Sequence, residues 1–308
     1  MKIFPLLRDW AYRCNTHLRI WWHGFALYLR YFGDARLRLL LKLEKDYFIK
    51  RRIITKSWQP EQVSLPVGKR ILSISPHSDD ESIGAGGLLW AHRNLSEIHC
   101  IVLSRGEKGG ALEENIEDQR LYSSKLADIR KAEFSKTASM LNAASKYFFD
   151  FPDGNILCNM HESERLRSLV KKIEPDVVLL PWFLDDLPDH RRANILYAWA
   201  CAGFALKVFS YEVWTNFEPN AVLDITDYLD GKLQLVRNYE SQLRTVDYLS
   251  YVSGLSKMRA FQFSGRPCRS GAIEAYMALP NHEYCDLVFN YYGKPGKINK
   301  SVYALIGM

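Results

Sequence analysis

Five short apolar runs set the frame for this chain: residues 70–75 (RILSIS), 98–104 (IHCIVLS), 147–150, 177–181 (VVLLP) and 207–213. Helix-compatible stretches follow the first four, reaching about residue 94 and then covering 117–143, 162–173 and 191–205. Strands so short and so uniformly apolar suit burial on both faces. Their alternation with helices implies parallel neighbours joined by crossovers, hence a mostly parallel sheet covered on both sides. In such sheets ligands bind beyond the carboxyl ends of the strands, which narrows the search for chemistry to the residues just after each run. After residue 224 the pattern predicts one helix over 228–243 and irregular segments that complete the domain.

The chain before this frame has a different composition. Residues 1–56 hold 13 Lys/Arg against 4 Asp/Glu, whereas the remainder holds 28 against 31. Eleven of the 40 aromatic residues fall in the first 50. Leu18, Trp21, Trp22, Phe25, Leu29 and Phe32 recur at helical spacing, with Arg19, His23 and Arg30 off that stripe. Such a basic amphipathic helix fits the interface of an anionic membrane; it equally fits a helical hairpin packed on the main domain. Nucleic acid is not an expected partner, because the basic residues accompany a broad apolar face. Residues 56–68, with two prolines, read as a linker. The organisation expected is a helical extension over 1–60 and one domain over 61–308. No apolar run approaches the ~18 residues of a membrane span. The N-terminus reaches charge too early for a signal-peptide core. Six scattered cysteines without a C-x-x-C pair read as reduced thiols. The expected location is the cytoplasm, peripheral to the inner face of the membrane if the helix lies there.

Two segments carry the chemistry. The first apolar run ends in Ser75-Pro76-His77-Ser78-Asp79-Asp80-Glu81, followed by the glycine-rich turn Gly84-Ala85-Gly86-Gly87. Imidazole and carboxylate within three residues at a strand end suit a divalent cation such as Zn²⁺, with His77 and Asp80 as ligands and Asp79 able to reach a water. A solvated turn or helix cap is the alternative reading. The fourth run ends in Leu184-Asp185-Asp186-Leu187-Pro188-Asp189-His190. There His190 can complete a three-ligand site with one position open, the catalytic arrangement; alternatively Asp189 caps a helix and His190 is an ordinary first-turn residue.

Together these segments resemble the PIG-L/LmbE-like family of zinc-dependent N-acetylglucosaminyl de-N-acetylases. Pro76-His77-Ser78-Asp79-Asp80-Glu81 is similar to its (A/P)-H-P-D-D-E motif, with Ser78 for the usual proline, and Leu187-Pro188-Asp189-His190 to its H-P-D-H. Ser104-Arg105-Gly106-Glu107-Lys108-Gly109 resembles its T-x-G-E-x-G loop, Arg130-Lys131-Ala132-Glu133 its R-x-x-E helix and Pro152-Asp153-Gly154 its P-D-G turn. Val222 to Thr226, Lys232 and Ser241-Gln242 look like a downstream stretch of its bacterial members. The resemblance runs over roughly 69–276. It implies His77, Asp80 and His190 as zinc ligands, Asp79 as general base, Asp189 orienting a histidine, and Arg130, Asp153 and Arg105 near the sugar. The fold class it implies agrees with the strand pattern: α/β, a Rossmann-like mostly parallel sheet with helices on both faces, plus the N-terminal helical extension.

One position departs from the family. Leu187 stands where the first histidine of H-P-D-H is associated with stabilising the tetrahedral intermediate or protonating the leaving group. A leucine can do neither, and losing an oxyanion donor typically costs about 10²–10³ in kcat. Arg191, Arg192, His92 and His161 are the residues that sequence offers in its place. The activity expected is hydrolysis of the N-acetyl group of a GlcNAc-type sugar conjugate, lipid-linked if the N-terminal helix binds a membrane. The competing expectation is a non-catalytic metal- or glycan-binding partner in a membrane-associated assembly.

Overall fold

The computed structural model describes residues 60–113, 116–265 and 270–298; the expectations placed on residues 1–59 lie outside them. The domain is built on an eight-stranded sheet. Its strands are β1 (Glu61–Gln62), β2 (Arg70–Ser75), β3 (Glu97–Ser104), β4 (Ser145–Phe151), β5 (Val177–Pro181), β6 (Lys207–Tyr211), β7 (Ala221–Asp224) and β8 (Ile273–Pro280). They lie in the order β1-β7-β8-β6-β5-β2-β3-β4. The five runs expected as strands are β2 to β6, and all five are parallel. Helices α1 (Asp80–His92), α2 (Gln119–Met140), α3 (Met160–Ile173) and α4 (Pro188–Cys201) occupy the four stretches between them. Strands β2 and β5 are neighbours although β3 and β4 intervene in sequence, so the order reverses between them and a crevice opens at their carboxyl ends. Both chemistry-bearing segments emerge at that crevice.

Three expectations are corrected. The stretch read as a linker contributes the edge strand β1, whose Glu61 and Gln62 pair in parallel with Ala221 and Val222. The helix expected over 228–243 is broken into a turn of 3₁₀ helix, then α5 (Leu229–Arg237) and α6 (Glu240–Leu243). The tail read as irregular supplies α7 (Tyr248–Phe263), α8 (Asn281–Tyr292) and the strand β8, which is inserted antiparallel between β6 and β7. Its run Ile-Glu-Ala-Tyr-Met-Ala-Leu alternates too little to announce a strand, because both of its faces are buried. A short hairpin, β9 (Gly293–Lys294) with β10 (Lys297–Ile298), follows. None of the described helices is long and apolar enough to cross a membrane.

Strand β8 also explains the glycine-rich turn. Helix α1 is kinked at Ala85 (φ −128°, ψ 17°), which frees backbone N–H groups at the start of its second segment. Glu274 of β8 receives two of them, from Gly87 at 2.7 Å and Leu88 at 2.8 Å. It therefore works as an N-terminal cap delivered from the sheet, where a carboxylate also suits the helix dipole. Lys232 of α5 neutralises it at 2.6 Å, and the Tyr276 hydroxyl donates to it at 2.6 Å. At Gly87 a Cβ would meet Ile225 at 2.7 Å, so only glycine permits this approach.

Removing one partner of a buried ion pair strands the other charge, at about 3–5 kcal/mol. Lys232→Met is accordingly expected to lower unfolding stability by about that much. Adding Glu274→Gln should restore part of the loss, read as non-additivity in urea denaturation of the two single variants and the double.

Candidate metal centre

At the crevice, acids and imidazoles alternate along one line. The Asp80 carboxylate lies in the middle: its Oδ2 is 3.4 Å from His77 Nδ1 and 3.3 Å from His190 Nε2. The far nitrogen of His190, Nδ1, faces Asp185 Oδ1 at 3.2 Å. The far nitrogen of His77, Nε2, faces Asp189 Oδ2 at 3.3 Å and Asp153 Oδ1 at 3.4 Å. His77 and Asp80 leave the end of β2, where the His77 backbone N–H fixes Asp80 through a 2.8 Å hydrogen bond to Oδ2. His190 enters the first turn of α4, after the end of β5. The structure thus brings together His77, Asp79, Asp80, Asp153, Asp189 and His190, all singled out in the sequence.

Burial sets the electrostatics. His190 is fully buried, and neither of its ring nitrogens makes a well-aligned hydrogen bond among the described residues. Burial alone would lower its pKa, but Asp80 and Asp185 overcome that and raise it to about 9. His77 follows the same logic: burial opposes the proton, and Asp153, Asp189 and Asp80 hold it well above the usual imidazole range. Burial would raise Asp80, yet His190 and His77 keep it far below the usual carboxylate range. The cluster is therefore a buried anion between two imidazolium groups. The ligand atoms of His77, Asp80 and His190 lie within 4.8 Å of one another. Two imidazoles and one carboxylate, with an orphaned pair of nitrogens on His190, fit a divalent cation of the Zn²⁺ type. The carboxylates behind the imidazoles match the outer partners that orient metal-bound histidines.

Asp79 occupies the cap position of α1 with φ 140°, a conformation strained for any residue but glycine. Burial pushes its carboxyl up to about 8, with Arg130 opposing the shift and Asp80 adding to it. Arg130 does not project into solvent. It is buried, donates to the carbonyls of Gly106 (3.0 Å) and Ser78 (2.9 Å), and sets Nη2 3.5 Å from Asp79 Oδ1. Gly106 has φ +66°, and a Cβ there would lie 2.6 Å from the guanidinium. One turn on, Glu133 accepts the Ser241 backbone N–H (2.8 Å) and hydroxyl (2.7 Å), and Gln242 donates to the Gly109 carbonyl at 3.0 Å. The downstream residues Ser241 and Gln242 thus brace the loops of the site, while Lys232 acts on α1 through Glu274.

The other singled-out residues are placed as follows. Asp189 accepts the Gly154 backbone N–H at 2.8 Å, which ties α4 to the turn after β4. Asp153 accepts from the Lys108 backbone at 3.1 Å, while Arg105 is exposed and paired with Glu107 at 3.2 Å. Leu187 presents no polar side chain, and its backbone N–H goes to Asp185 Oδ1 at 3.1 Å. Of the residues offered in its place, His92 is spent on Leu88 and Val67, exposed His161 pairs with Glu162, and Arg192 binds Gly154 and Asn155. Arg191 Nη2 lies 3.8 Å from Asp186. Sequence reasoning missed Asp185, which also accepts the backbone N–H groups of Trp214 (3.0 Å) and Thr215 (3.1 Å). An Asp-Asp pair before Pro188 was visible, but nothing in it says which carboxylate turns inward.

Residues 72–201 match the profile of the PIG-L family, described as GlcNAc-PI de-N-acetylase. The chain is 26% identical over 193 residues to the diacetylchitobiose deacetylase of Thermococcus kodakarensis, an overlap of 56% of this chain and 70% of that protein. In three dimensions it is similar to the N,N'-diacetylchitobiose deacetylase from Pyrococcus horikoshii, with TM-score 0.59 and 22% identity over 78% of this chain and 94% of the other. It is similar also to the 4-carboxy-2-hydroxymuconate hydratase from Pseudomonas putida, with TM-score 0.55 and 24% identity over 68% and 96%. At these identities the structural likenesses speak for the fold.

A cation entering this cluster needs neutral imidazoles, and below about pH 9 the metal-free His190 holds a proton. Zinc binding to stripped protein is therefore expected to release protons, and its apparent affinity to rise about tenfold per unit of pH for each proton displaced between pH 6 and 8. Isothermal titration in buffers of different ionisation enthalpy reads both. Asp185→Asn should weaken zinc binding about 10–100-fold with little change in the fold, as loss of an outer partner does.

Proposed function

We propose that this PIG-L family domain is a metal-dependent hydrolase that removes the acetyl group from an N-acetylated hexosamine conjugate, with His77, Asp80 and His190 holding Zn²⁺. The observation that carries the reading is the buried Asp80 carboxylate shared by two imidazoles, with the strained Asp79 carboxylate next to it at the mouth of the sheet crevice. When bound, a zinc ion supplies Lewis-acid polarisation of an amide carbonyl and brings the pKa of water from 15.7 to about 7.

Each neighbouring side chain has a share in that chemistry. Asp79 takes a proton from the attacking water and delivers it to the departing amine, so it must cycle between charge states near neutrality. A carboxyl raised by burial and restrained by Arg130 is suited to that work. Arg130 fixes the position of Asp79 from behind. Asp189 and Asp185 hold the two imidazoles in one orientation, and Asp153 faces His77 from the turn after β4. The relatives named for diacetylchitobiose deacetylation support a GlcNAc-type sugar as substrate. A lipid-linked or glycan-assembly intermediate is the form of that sugar that the basic aromatic stretch in residues 1–56 favours.

Leu187 supports a second reading, a metal- or glycan-binding protein without turnover, because the position lacks a side-chain donor. One experiment separates the two. Acetate release is measured from N-acetylglucosamine, a nucleotide-linked form and a lipid-diphosphate-linked form, with zinc-loaded and chelated protein. The hydrolase reading expects chelator-sensitive release, and expects Asp79→Asn to keep its zinc while losing about 10²–10⁴-fold in rate. Zinc bound stoichiometrically with no release from any of the three would leave a substrate outside the panel or the second reading. Asp79→Asn turning over as fast as wild type would refute the role given to Asp79.

A further inference from the structure

We propose that Trp214, backed by Tyr248, is the platform on which the sugar ring rests while its acetamide faces the His77, Asp80 and His190 cluster. The inference rests on the hexosamine reading above and names the part of the site that recognises the ring. Trp214 lies in the loop after β6, and its side chain is 46% exposed in a domain whose tryptophans at 182 and 199 are buried. An exposed indole offers a flat apolar face, and the apolar C–H face of a pyranose is of matching size and polarity.

Position and rigidity single this residue out. The Trp214 backbone N–H donates to Asp185 Oδ2 at 3.0 Å, and the other oxygen of that carboxylate lies 3.2 Å from His190 Nδ1. Among the described residues, Trp214 is the exposed large apolar side chain joined to the cluster in this way. Its loop is fastened on both sides. The Tyr251 hydroxyl donates to the Val213 carbonyl, the Thr215 N–H shares Asp185, and Glu212 pairs with Arg259 while accepting the Phe217 N–H at 3.0 Å. The indole ring meets Tyr248 edge to face, with centroids 6.0 Å apart. Tyr248 is 8% exposed, so the indole stands against a largely buried ring. A fixed, exposed indole one carboxylate away from a proposed ligand is an arrangement that presents a flat apolar face to a sugar ring.

The test uses the full zinc-loaded chain carrying Asp79→Asn to prevent turnover, with diacetylchitobiose and acetate as calorimetric probes. Trp214→Ala is expected to weaken diacetylchitobiose binding about tenfold, the loss of one aromatic contact of about 1.4 kcal/mol. Trp214→Phe should retain most of the affinity. Zinc stoichiometry, thermal midpoint and acetate affinity should stay as in the parent. Unchanged sugar affinity in Trp214→Ala overturns the platform and leaves the hexosamine reading standing. Equal weakening of acetate and sugar also overturns it, because Trp214 would then act only through Asp185. If the parent protein binds neither diacetylchitobiose nor N-acetylglucosamine while holding zinc, the hexosamine reading falls and the platform with it.

Discussion

The Asp80 carboxylate, buried between two imidazoles, is the interaction on which the rest of the arrangement depends. A single buried charge of this kind would be prohibitively expensive, and even a pair breaks even only with good geometry and satisfied outer hydrogen bonds. The protein meets that condition by extending the pair into a line of alternating sign: Asp185, His190, Asp80, His77 and then Asp189 with Asp153. The outer carboxylates are in turn neutralised by backbone N–H groups of other loops, those of Leu187, Trp214 and Thr215 at one end and those of Gly154 and Lys108 at the other. Loops after β2, β3, β4, β5 and β6 are therefore held in register by one electrostatic requirement. Parallel strands suit this, since they deliver all five loops to the same edge.

Behind that line stands a second layer with its own polar logic. Glu81 is fully buried and accepts hydroxyl donors from Ser75 (3.0 Å), Ser82 (2.8 Å) and Tyr239 (2.5 Å), fixing the turn from below. Arg130 and Glu133 project from one face of α2, the first gripping the loops around Ser78 and Gly106 and the second gripping Ser241. Their common effect is to over-determine the backbone around Asp79, whose positive φ persists only because its surroundings leave no alternative.

Sequence alone carried much of this, for identifiable reasons. The parallel strands were legible because burial on both faces makes them continuous apolar runs, and their carboxyl ends pointed to His77, Asp79, Asp80, Asp189 and His190. Strand β8 was not legible: its interior holds Glu274, a residue that argues against a central strand unless its partners are known. Those partners, Lys232 and the N–H groups of Gly87 and Leu88, lie 42, 187 and 186 residues away and leave no local trace. The same distance problem hid Asp185 and Trp214, whose roles come from a contact across 29 residues. Arg130 was visible as a residue, but only its burial reveals that its guanidinium is directed at carbonyl groups.

The kink at Ala85 and its cap have a consequence for how the chain must be made. Helix α1 emerges well before β8 in synthesis, and the carboxylate that satisfies its exposed N–H groups belongs to residue 274. Until that residue has left the ribosome, the second segment of the helix lacks its cap and β6 lacks its antiparallel neighbour. The cap of α1 and the antiparallel neighbour of β6 are therefore both completed only once residues 273–280 are available.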